Sequence, residues 1–253
     1  MHRLLVGTEL LNEDAPTLPK DAARHLKVLR PKDGEEIELF DGKGHFRVFK
    51  VQGSRLRVES LIPVSVTFNL QPSTFNLTLF ACVTKGSRWD WTIEKATELG
   101  VTRIVPVVSE RTIVRIPMSE RTAKRERWLR IAEDAARQSD AKWLPEVCEA
   151  VDFRDALPLV KNTTCFIGAL TTPPARPLAE AVAEKVKVEG VGVERNFATF
   201  IGPEGDFTSE ELTALMEIAT PTSFGPTILR AETAAIFAVS VLASSLHRKG
   251  SGE

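Results

Sequence analysis

Cysteine and histidine are scarce in this chain of 253 residues. The three cysteines, Cys82, Cys148 and Cys165, are odd in number and far apart, and no Cys-x-x-Cys or paired histidine spacing occurs. A disulfide framework needs paired cysteines, and a structural zinc site needs closely spaced thiolate or imidazole ligands. The pattern therefore argues against both and favours a reducing compartment.

Long apolar runs are missing as well. The run that follows Met1 is too short for a signal peptide and is interrupted by Glu9, and no stretch reaches membrane-spanning length. The composition, 43% hydrophobic and 26% charged, is typical of a soluble globular protein. We therefore predict a cytoplasmic protein without a membrane partner.

The chain also lacks a strong excess of charge. Its formal net charge is −1, so any nucleic-acid surface must come from a local group of basic residues. Residues 103–130 form such a group, with eight basic and three acidic side chains. Because Trp128, Ala132 and Ala136 form the apolar side of a helix predicted at 119–139, we expect its basic side to be free. A solvated helix face and an RNA-binding surface both explain the pattern.

The first seventy residues predict mainly β structure. Alternating strands joined by glycine turns at Asp41-Gly42 and Gly53-Ser54 are typical of a small antiparallel barrel. A short helix at 21–30 precedes these strands, and Pro31 ends it. It carries Arg24, Lys27 and Arg30, which either form a solvated face or contact phosphates.

A different pattern follows a polar linker at about 63–75. Across 74–250, buried strands such as 76–83 and 103–109 alternate with helices, the first opened by Ser87 and closed by Gly100. This alternation predicts a mostly parallel sheet with helices on its faces.

Residues 198–211 combine three signals: a buried strand, a tight loop at Gly202-Pro203-Glu204-Gly205, and a helix with a capping box between Thr208 and Glu211. In open α/β sheets, loops at the carboxyl ends of strands bind ligands, and glycine lets the backbone approach them closely. A plain strand-to-helix turn is the alternative.

A second loop, 224–233, leads from the Gly225-Pro226 turn into a helix that is apolar on nearly every side and is therefore expected to be buried. Arg230 and Glu232 lie at its start, where burying an unpaired charge is costly. They form either a structural ion pair or part of a ligand site shared with the loop at 202–205.

Missing motifs restrict the chemistry of these loops. The chain has no Gly-x4-Gly-Lys-[Ser/Thr] loop and no Gly-x-Gly-x-x-Gly after a strand, which argues against P-loop and dinucleotide-binding enzymes. The four histidines avoid both loops, which argues against a Ser-His-Asp triad or a histidine metal site there. Backbone groups remain, with Arg230, Glu204 and Glu232. This set fits a neutral-to-cationic organic cofactor and transfer chemistry based on proximity and electrostatics.

Four sequence blocks resemble those of a known family. They are His25-Leu-Lys-Val-Leu-Arg with Asp33-Gly34; Lys85-Gly-Ser-Arg-Trp-Asp-Trp-Thr-Ile-Glu-Lys-Ala-Thr-Glu-Leu-Gly-Val; Glu133-Asp-Ala-Ala-Arg-Gln-Ser with Pro145; and Ile201-Gly-Pro-Glu-Gly-Asp-Phe-Thr-Ser-Glu-Glu with Phe224-Gly-Pro-Thr-Ile-Leu-Arg-Ala-Glu-Thr-Ala. They cover nearly the whole chain, and the last pair is highly specific. The chain resembles the bacterial small-subunit ribosomal RNA methyltransferase E family, of the SPOUT or trefoil-knotted superfamily.

The resemblance implies an α/β protein with two domains. Residues 1–70 would form a PUA-like β-barrel that helps bind RNA, and residues 74–250 a knotted domain that binds S-adenosylmethionine and forms a homodimer. The implied reaction is methylation of N3 of one uridine in 16S ribosomal RNA, within the small subunit and without a metal.

The resemblance also assigns site residues. The implied cofactor-binding residues are Leu170, Ile201, Gly202, Pro203, Glu204, Gly205, Phe224, Gly225, Ile228, Leu229 and Arg230. The implied RNA-binding residues are Arg24, Lys27, Arg30, Lys85, Arg88, Arg111 and Arg115. By hypothesis, Glu232 first and Glu204 second accept the N3 proton, and Arg230 stabilises the uracil anion or holds a phosphate.

The chain departs from the family pattern in two places. It has Asp206 where the family usually has a second glycine, and Asp140-Ala141 where the family usually has Gly-Arg, with Lys142 as a possible substitute for that arginine. Two alternatives follow: a non-catalytic RNA-binding or ribosome-assembly protein, and a methyltransferase of this superfamily that acts on another RNA.

Overall fold

The computed structural model describes residues 1–54, 57–65, 67–69, 75–169, 174–188 and 195–246. The chain divides into two compact units, Met1–Pro72 with Glu133–Leu144, and Ser73–Ala132 with Pro145–Glu253. Part of the predicted linker and the predicted cofactor residue Leu170 lie outside the described residues.

The first unit is built on a five-stranded sheet with the order β1-β2-β3-β4, in which β5 also pairs with β3. Its elements are β1 (His2–Leu5), α1 (Lys20–Leu29), β2 (Glu36–Phe40), β3 (His45–Ser54), β4 (Arg57–Pro63) and β5 (Phe68–Asn69). The pairings among β2 to β5 are antiparallel, as predicted. Strand β1 pairs with β2 in parallel and was not predicted, because a parallel partner distant in sequence leaves no hairpin signal.

Alternating side chains place the core of this unit on one face of the sheet. The buried apolar residues include Leu4, Leu11, Leu26, Ile37, Leu39, Phe49, Val51 and Leu61. Leu26 brings α1 onto this core, and the basic side chains of α1 lie on its exposed side.

A buried charge cluster brings Glu133–Leu144 into the first unit, although the sequence analysis places this segment in the second domain. Arg3 donates hydrogen bonds to the carbonyl oxygens of Ala136 (2.6 Å) and Ala141 (3.0 Å), and its Nε lies 2.8 Å from Glu38 Oε1. Lys142 Nζ lies 2.6 Å from Glu38 Oε2 and 2.8 Å from Asp140 Oδ1. The suggestion that Lys142 replaces a substrate-binding arginine loses its basis, because these two carboxylates engage its ammonium group.

The second unit contains a seven-stranded sheet with the order β12-β10-β11-β6-β7-β8, in which β9 also pairs with β7. The strands are β6 (Phe75–Cys82), β7 (Arg103–Val108), β8 (Glu146–Val147), β9 (Val151–Asp152), β10 (Thr164–Gly168), β11 (Arg195–Ile201) and β12 (Thr220–Thr222). The pairings within it are parallel, which confirms the predicted α/β fold. All of these strands therefore end at the same edge.

Helices cover both faces of this sheet. They are α2 (Ser87–Glu98), α3 (Met118–Gln138, which enters the first unit at Glu133), α4 (Phe153–Ala156), α5 (Leu178–Val188), α6 (Ser209–Met216) and α7 (Ala231–Leu246). One face packs stacked Phe80 and Phe200, whose ring centroids are 4.5 Å apart, against α4 and α6. Alternation along the strands turns the other face to α2, α5 and α7.

Helix α7 is buried on one side only. Ala235, Ala238 and Leu242 are buried, whereas Thr233 is exposed and Phe237 remains 36% exposed. The prediction of a fully buried helix is therefore wrong. The reason is that an all-round apolar pattern does not specify which faces find partners within one chain.

In the part of the chain that the structure describes, no helix combines the length and the apolar character needed to cross a membrane. The same residues contain no group of three or more His, Cys, Asp or Glu side chains that could hold a metal ion.

Candidate active site at the carboxyl edge of the parallel sheet

The loop at 202–208 leaves the carboxyl end of β11, a central strand between β10 and β6. Pro203 is buried, and its carbonyl accepts a 3.0 Å hydrogen bond from Asp206 N–H. Asp206 has φ 60°, in the left-handed region, and its Oδ1 accepts a 2.8 Å bond from Phe207 N–H. A Cβ at Gly202 would lie 3.2 Å from the Phe207 ring, so glycine fits this close approach. The loop is a tight, internally bonded turn.

The predicted capping box starts α6 immediately after this loop. Glu211 N–H donates to Thr208 Oγ1 at 3.2 Å, and Thr208 N–H donates to Glu211 Oε2 at 3.0 Å. The second carboxylate oxygen of Glu211 accepts a 2.9 Å bond from Glu110 N–H in the loop after β7. Glu211 therefore joins two loops of the carboxyl edge, a role that the capping-box pattern does not reveal.

Two arginines of the loop after β7 bind backbone carbonyls. Arg111 Nη1 donates to the carbonyl oxygens of Gly205 (3.1 Å) and Phe207 (3.3 Å). Arg115 donates to those of Ser109 (3.2 Å) and Glu110 (2.6 Å). Both arginines were predicted to bind RNA, and in the structure both organise loops.

The second predicted loop reaches the same edge through Phe224. A Cβ at Gly168, the last residue of β10, would lie 2.7 Å from the Phe224 ring, so this ring covers the end of β10. The register of Ile167 with Phe200 places that end beside the end of β11. The structure therefore places Phe224 at the end of the strand next to the one that carries the loop at 202–205.

The rest of this loop is open. Gly225 has φ 124° and free space where a Cβ would be, and Ile228 is 84% exposed. Arg230 is also exposed, and its carbonyl accepts the 2.8 Å bond from Ala234 N–H that starts α7. The Arg230 side chain lies at the N-terminal end of α7 and is not part of the core.

The two candidate carboxylates differ in their partners. Glu204 Oε1 lies 3.3 Å from Arg88 Nη1, from the first turn of α2. Glu232 Oε2 is buried and has no hydrogen-bond partner among the described residues, so the alternative of a structural Arg230–Glu232 pair is not supported through this oxygen. Thr84 Oγ1, in the loop after β6, is likewise buried without a partner in that set. Buried polar atoms usually have partners, so these two are candidates for ligand contacts.

The two buried thiols of this sheet, Cys82 and Cys165, are not nucleophiles. Burial raises the pKa of Cys82, at the end of β6, to about 11, and burial raises that of Cys165 in β10 to about 12. Both stay protonated at neutral pH, and the thiolate is the reactive form. The chemistry of the edge therefore falls to its carboxylates, Arg230 and backbone groups.

Comparison with known proteins agrees with this geometry. The family model that describes an RNA methyltransferase domain matches residues 71–243. A second family model, for an RNA methyltransferase PUA domain, matches residues 18–61. The ribosomal RNA small subunit methyltransferase E of Synechocystis sp. is 30% identical over 92% of this chain and 74% of its own length. The chain belongs to the ribosomal RNA small subunit methyltransferase E family.

Further members support this assignment. The methyltransferase E of Bacillus subtilis is 27% identical over 91% of both chains. The crystal structure of the methyltransferase E of Neisseria gonorrhoeae bound to S-adenosyl methionine has a TM-score of 0.79 and 30% identity, and the match covers 96% of this chain and 97% of that one. The α/β fold with an N-terminal PUA domain is thereby confirmed, and the trefoil knot stays a prediction.

The basic side predicted to be free on the helix at 119–139 is only partly so. Arg121 pairs with Asp152, Arg125 with the Val147 carbonyl and Arg127 with Asp90. Before this helix, Arg103 pairs with Glu146, and Arg111 and Arg115 bind the loop carbonyls above. The charge pattern does not predict the pairs with Asp152, Asp90 and Glu146, because these acids lie outside residues 103–130. In contrast, Arg24 and Lys27 on α1, Arg30 directly after it and Lys85 before α2 are all exposed.

Proposed function

We propose that this chain transfers a methyl group from S-adenosylmethionine to N3 of one uridine in 16S ribosomal RNA of the small subunit. The observation that carries the proposal is the meeting of the Gly202–Gly205 loop and the Phe224 loop at the carboxyl edge, in a chain of the methyltransferase E family. Ligands bind at this edge in open α/β sheets.

The residues present fit the cofactor. Ile201–Gly205 and Phe224–Arg230 supply backbone donors and acceptors, Ile228 and Leu229 supply apolar surface, and Leu170 is the predicted contact from the third loop. Thr84 Oγ1, which is buried without a partner among the described residues, offers an acceptor to the ligand's polar groups. When bound, the cofactor supplies an electrophilic methyl group on a sulfonium.

The side chains supply acid–base and electrostatic functions. Uracil N3 carries a proton at neutral pH, and Glu232 accepts it, because its Oε2 is the carboxylate oxygen without a partner. Glu204 is the second candidate. Arg230, exposed at the same helix start, stabilises the uracil anion or holds an RNA phosphate. The target uridine must leave its stack to reach these groups.

The two units have separate tasks in this proposal. The first unit, with Arg24, Lys27 and Arg30 on α1, contacts RNA phosphates, and Lys85 and Arg88 do so from the second unit. The second unit binds the cofactor and forms a homodimer through the exposed side of α7. Phe237 on α7 and Trp91 on the adjacent α2 are 36% and 41% exposed and supply apolar surface for this contact. The reaction takes place in the cytoplasm, where ribosomal subunits are assembled.

The test is transfer of labelled methyl from S-adenosylmethionine to small subunits that lack the modification. Naked 16S ribosomal RNA and tRNA run beside them, and nuclease digestion with mass spectrometry maps the product. Label at N3 of one uridine in the subunits is expected. Label found only in tRNA would contradict the proposed ribosomal RNA substrate. If folded protein labels none of the three RNAs, the result supports the non-catalytic RNA-binding alternative.

A further inference from the structure

We infer that Arg111 is a positioning residue for the loop at 202–207 and acts on cofactor binding, not as a ligand of RNA phosphate. The inference rests on the proposed function, in which that loop holds S-adenosylmethionine. It departs from the sequence analysis, where Arg111 belongs to a basic surface for RNA.

The loop after β7, which carries Arg111, is held in place by several hydrogen bonds. Ser109 is buried, its N–H donates to Thr112 Oγ1 at 3.0 Å, and the two hydroxyl oxygens are 2.9 Å apart. Arg115 binds the carbonyls of Ser109 and Glu110, and Glu211 binds the N–H of Glu110. The backbone on both sides of Arg111 is thus tied before its side chain reaches the neighbouring loop.

The contact of Arg111 stabilises an unfavourable backbone conformation. Its two acceptors, the carbonyls of Gly205 and Phe207, flank Asp206, which has φ 60°. The left-handed region is unfavourable for a residue with a Cβ. Hydrogen bonds from a charged donor are among the stronger ones in proteins, so the guanidinium offsets this cost where it arises.

The same contacts determine which groups of the loop remain for a ligand. Asp206 N–H is used by Pro203 O, Phe207 N–H by the Asp206 carboxylate, and Thr208 N–H by Glu211. Within the described residues, the N–H groups of Glu204 and Gly205 have no hydrogen-bond partner. These are the donors left for the cofactor, and their orientation depends on the peptide that Arg111 holds through Gly205 O.

The aliphatic part of the Arg111 side chain also packs against the loop. A Cβ at Gly205 would lie 3.6 Å from Arg111 Cβ and 3.7 Å from its Cδ, so the arginine stem packs along the loop at ordinary contact distance. The other tether of the loop, Arg88 with Glu204, joins two partly exposed side chains, and such pairs contribute little. Arg111 is exposed as well, but it binds two backbone carbonyls of the loop, whereas Arg88 reaches only the Glu204 side chain.

The test uses Arg111→Ala in the full-length protein. We expect the Kd for S-adenosylmethionine, measured by calorimetry, to rise roughly tenfold, about 1.4 kcal/mol. The KM for the cofactor rises in parallel with a smaller effect on kcat, and hydrogen exchange of the amides at 204–207 becomes faster. The dependence of RNA affinity on salt keeps its slope, because Arg111 binds no phosphate.

Two matched variants complete the experiment. Arg154→Ala removes an exposed arginine of the second unit far along the chain from both loops and should leave cofactor affinity unchanged. Arg111→Lys should recover part of the affinity, because its ammonium still donates to carbonyls from a shorter side chain. Thermal unfolding of each variant checks that the fold survives.

The outcomes separate the two proposals. Wild-type protein that does not bind S-adenosylmethionine overturns the proposed function, and the inference falls with it. If the wild-type protein binds S-adenosylmethionine and Arg111→Ala shows the same affinity and the same hydrogen exchange, the inference about Arg111 is wrong and the proposed function stands. If Arg111→Ala lowers the slope of log RNA affinity against log salt and leaves cofactor affinity intact, Arg111 contacts RNA phosphate and the inference is wrong.

Discussion

The carboxylate of Glu204 lies 3.3 Å from the guanidinium of Arg88, whereas Glu232 Oε2 is buried without a partner among the described residues. Arg88 thus engages one carboxylate oxygen of Glu204, whereas Glu232 Oε2 has a free position for a hydrogen bond or a proton from a substrate within that part of the chain. The structure therefore separates two residues that the sequence leaves as competing candidates for the general base.

Glu232→Gln should reduce methyl transfer by roughly 10²-fold or more, the usual contribution of a positioned general base. Glu204→Gln should have a clearly smaller effect. Single-turnover rates with labelled S-adenosylmethionine at saturating RNA provide the measurement, and the two isosteric variants serve as controls for each other. Equal losses, or a larger loss in Glu204→Gln, would reverse the assignment.

Arg230→Ala should lower methyl transfer roughly 10²-fold while leaving thermal unfolding unchanged, because Arg230 is exposed and its side chain lies outside the core. If Arg230 stabilises the uracil anion, the loss appears in kcat with RNA affinity retained. If it holds a phosphate, RNA affinity falls as well. Wild-type rates in this variant would remove Arg230 from the mechanism.

The sequence predicts the local structure of the carboxyl edge well, because its signals are local. The Gly202–Gly205 loop, the capping box of Thr208 with Glu211, and the alternation of strands and helices depend on neighbouring residues. The contacts of Arg111 with Gly205 and of Glu211 with Glu110 join segments far apart in the chain. No spacing rule predicts such contacts, so the sequence alone shows Arg111 only as one of several basic residues.

The same distinction explains which features of the fold the sequence does not reveal. Strand β1 and the inclusion of Glu133–Leu144 in the first unit depend on partners that are distant in sequence. The basic stretch at 103–130 indicates a free surface because net charge counts only nearby acids. Asp90 and Asp152, which pair with Arg127 and Arg121, lie outside that window.

Asp206→Gly should leave the free energy of unfolding nearly unchanged, since glycine relieves the left-handed strain but loses the bond to Phe207 N–H. Asp206→Ala keeps the strain and loses the bond, so it should destabilise the protein by about 1 kcal/mol. Urea unfolding of both variants measures the difference. A more stable Ala than Gly variant would contradict the left-handed conformation at this residue.

Acid should weaken the first unit partly through Asp41. Burial tends to raise the pKa of this carboxyl, but hydrogen bonds from Lys43 N–H, the Thr8 hydroxyl and His45 outweigh it, and the pKa lies below its usual 3.8. The unfolded chain then binds the proton more tightly, so this stabilisation is complete above the unfolded pKa and is lost as pH falls through the folded pKa.

The measurement is urea unfolding between about pH 5 and pH 3, a range that reaches below the ordinary pKa of aspartate. Asp41→Asn should be less stable than wild type at the upper end, and the two stabilities should converge at the lower end. Curves that stay parallel over this range would show that Asp41 is not a source of the acid sensitivity.

RNA affinity should depend on the exposed basic side chains of α1. Replacing Arg24 and Lys27 with glutamine should lower the slope of log affinity against log salt by about 0.7 for each single-strand phosphate that is no longer neutralised. Val28→Ala, on the same helix and 73% exposed in wild type, is the uncharged control. Filter binding over a salt series gives the slopes, and a flat response in wild type would remove α1 from the RNA surface.

The charge cluster of Arg3, Glu38 and Lys142 has a consequence for biosynthesis. Arg3 and Glu38 are 7% and 2% exposed, and their partners Ala136, Ala141 and Lys142 are translated more than ninety residues later. At roughly 5–20 residues per second, the nascent N-terminal sheet waits several seconds or more for the segment that completes it. Until then two buried charges lack part of their partners, so a chain released early, near residue 72, would not be a finished domain. The first unit can complete its folding only after Glu133–Leu144 has been translated.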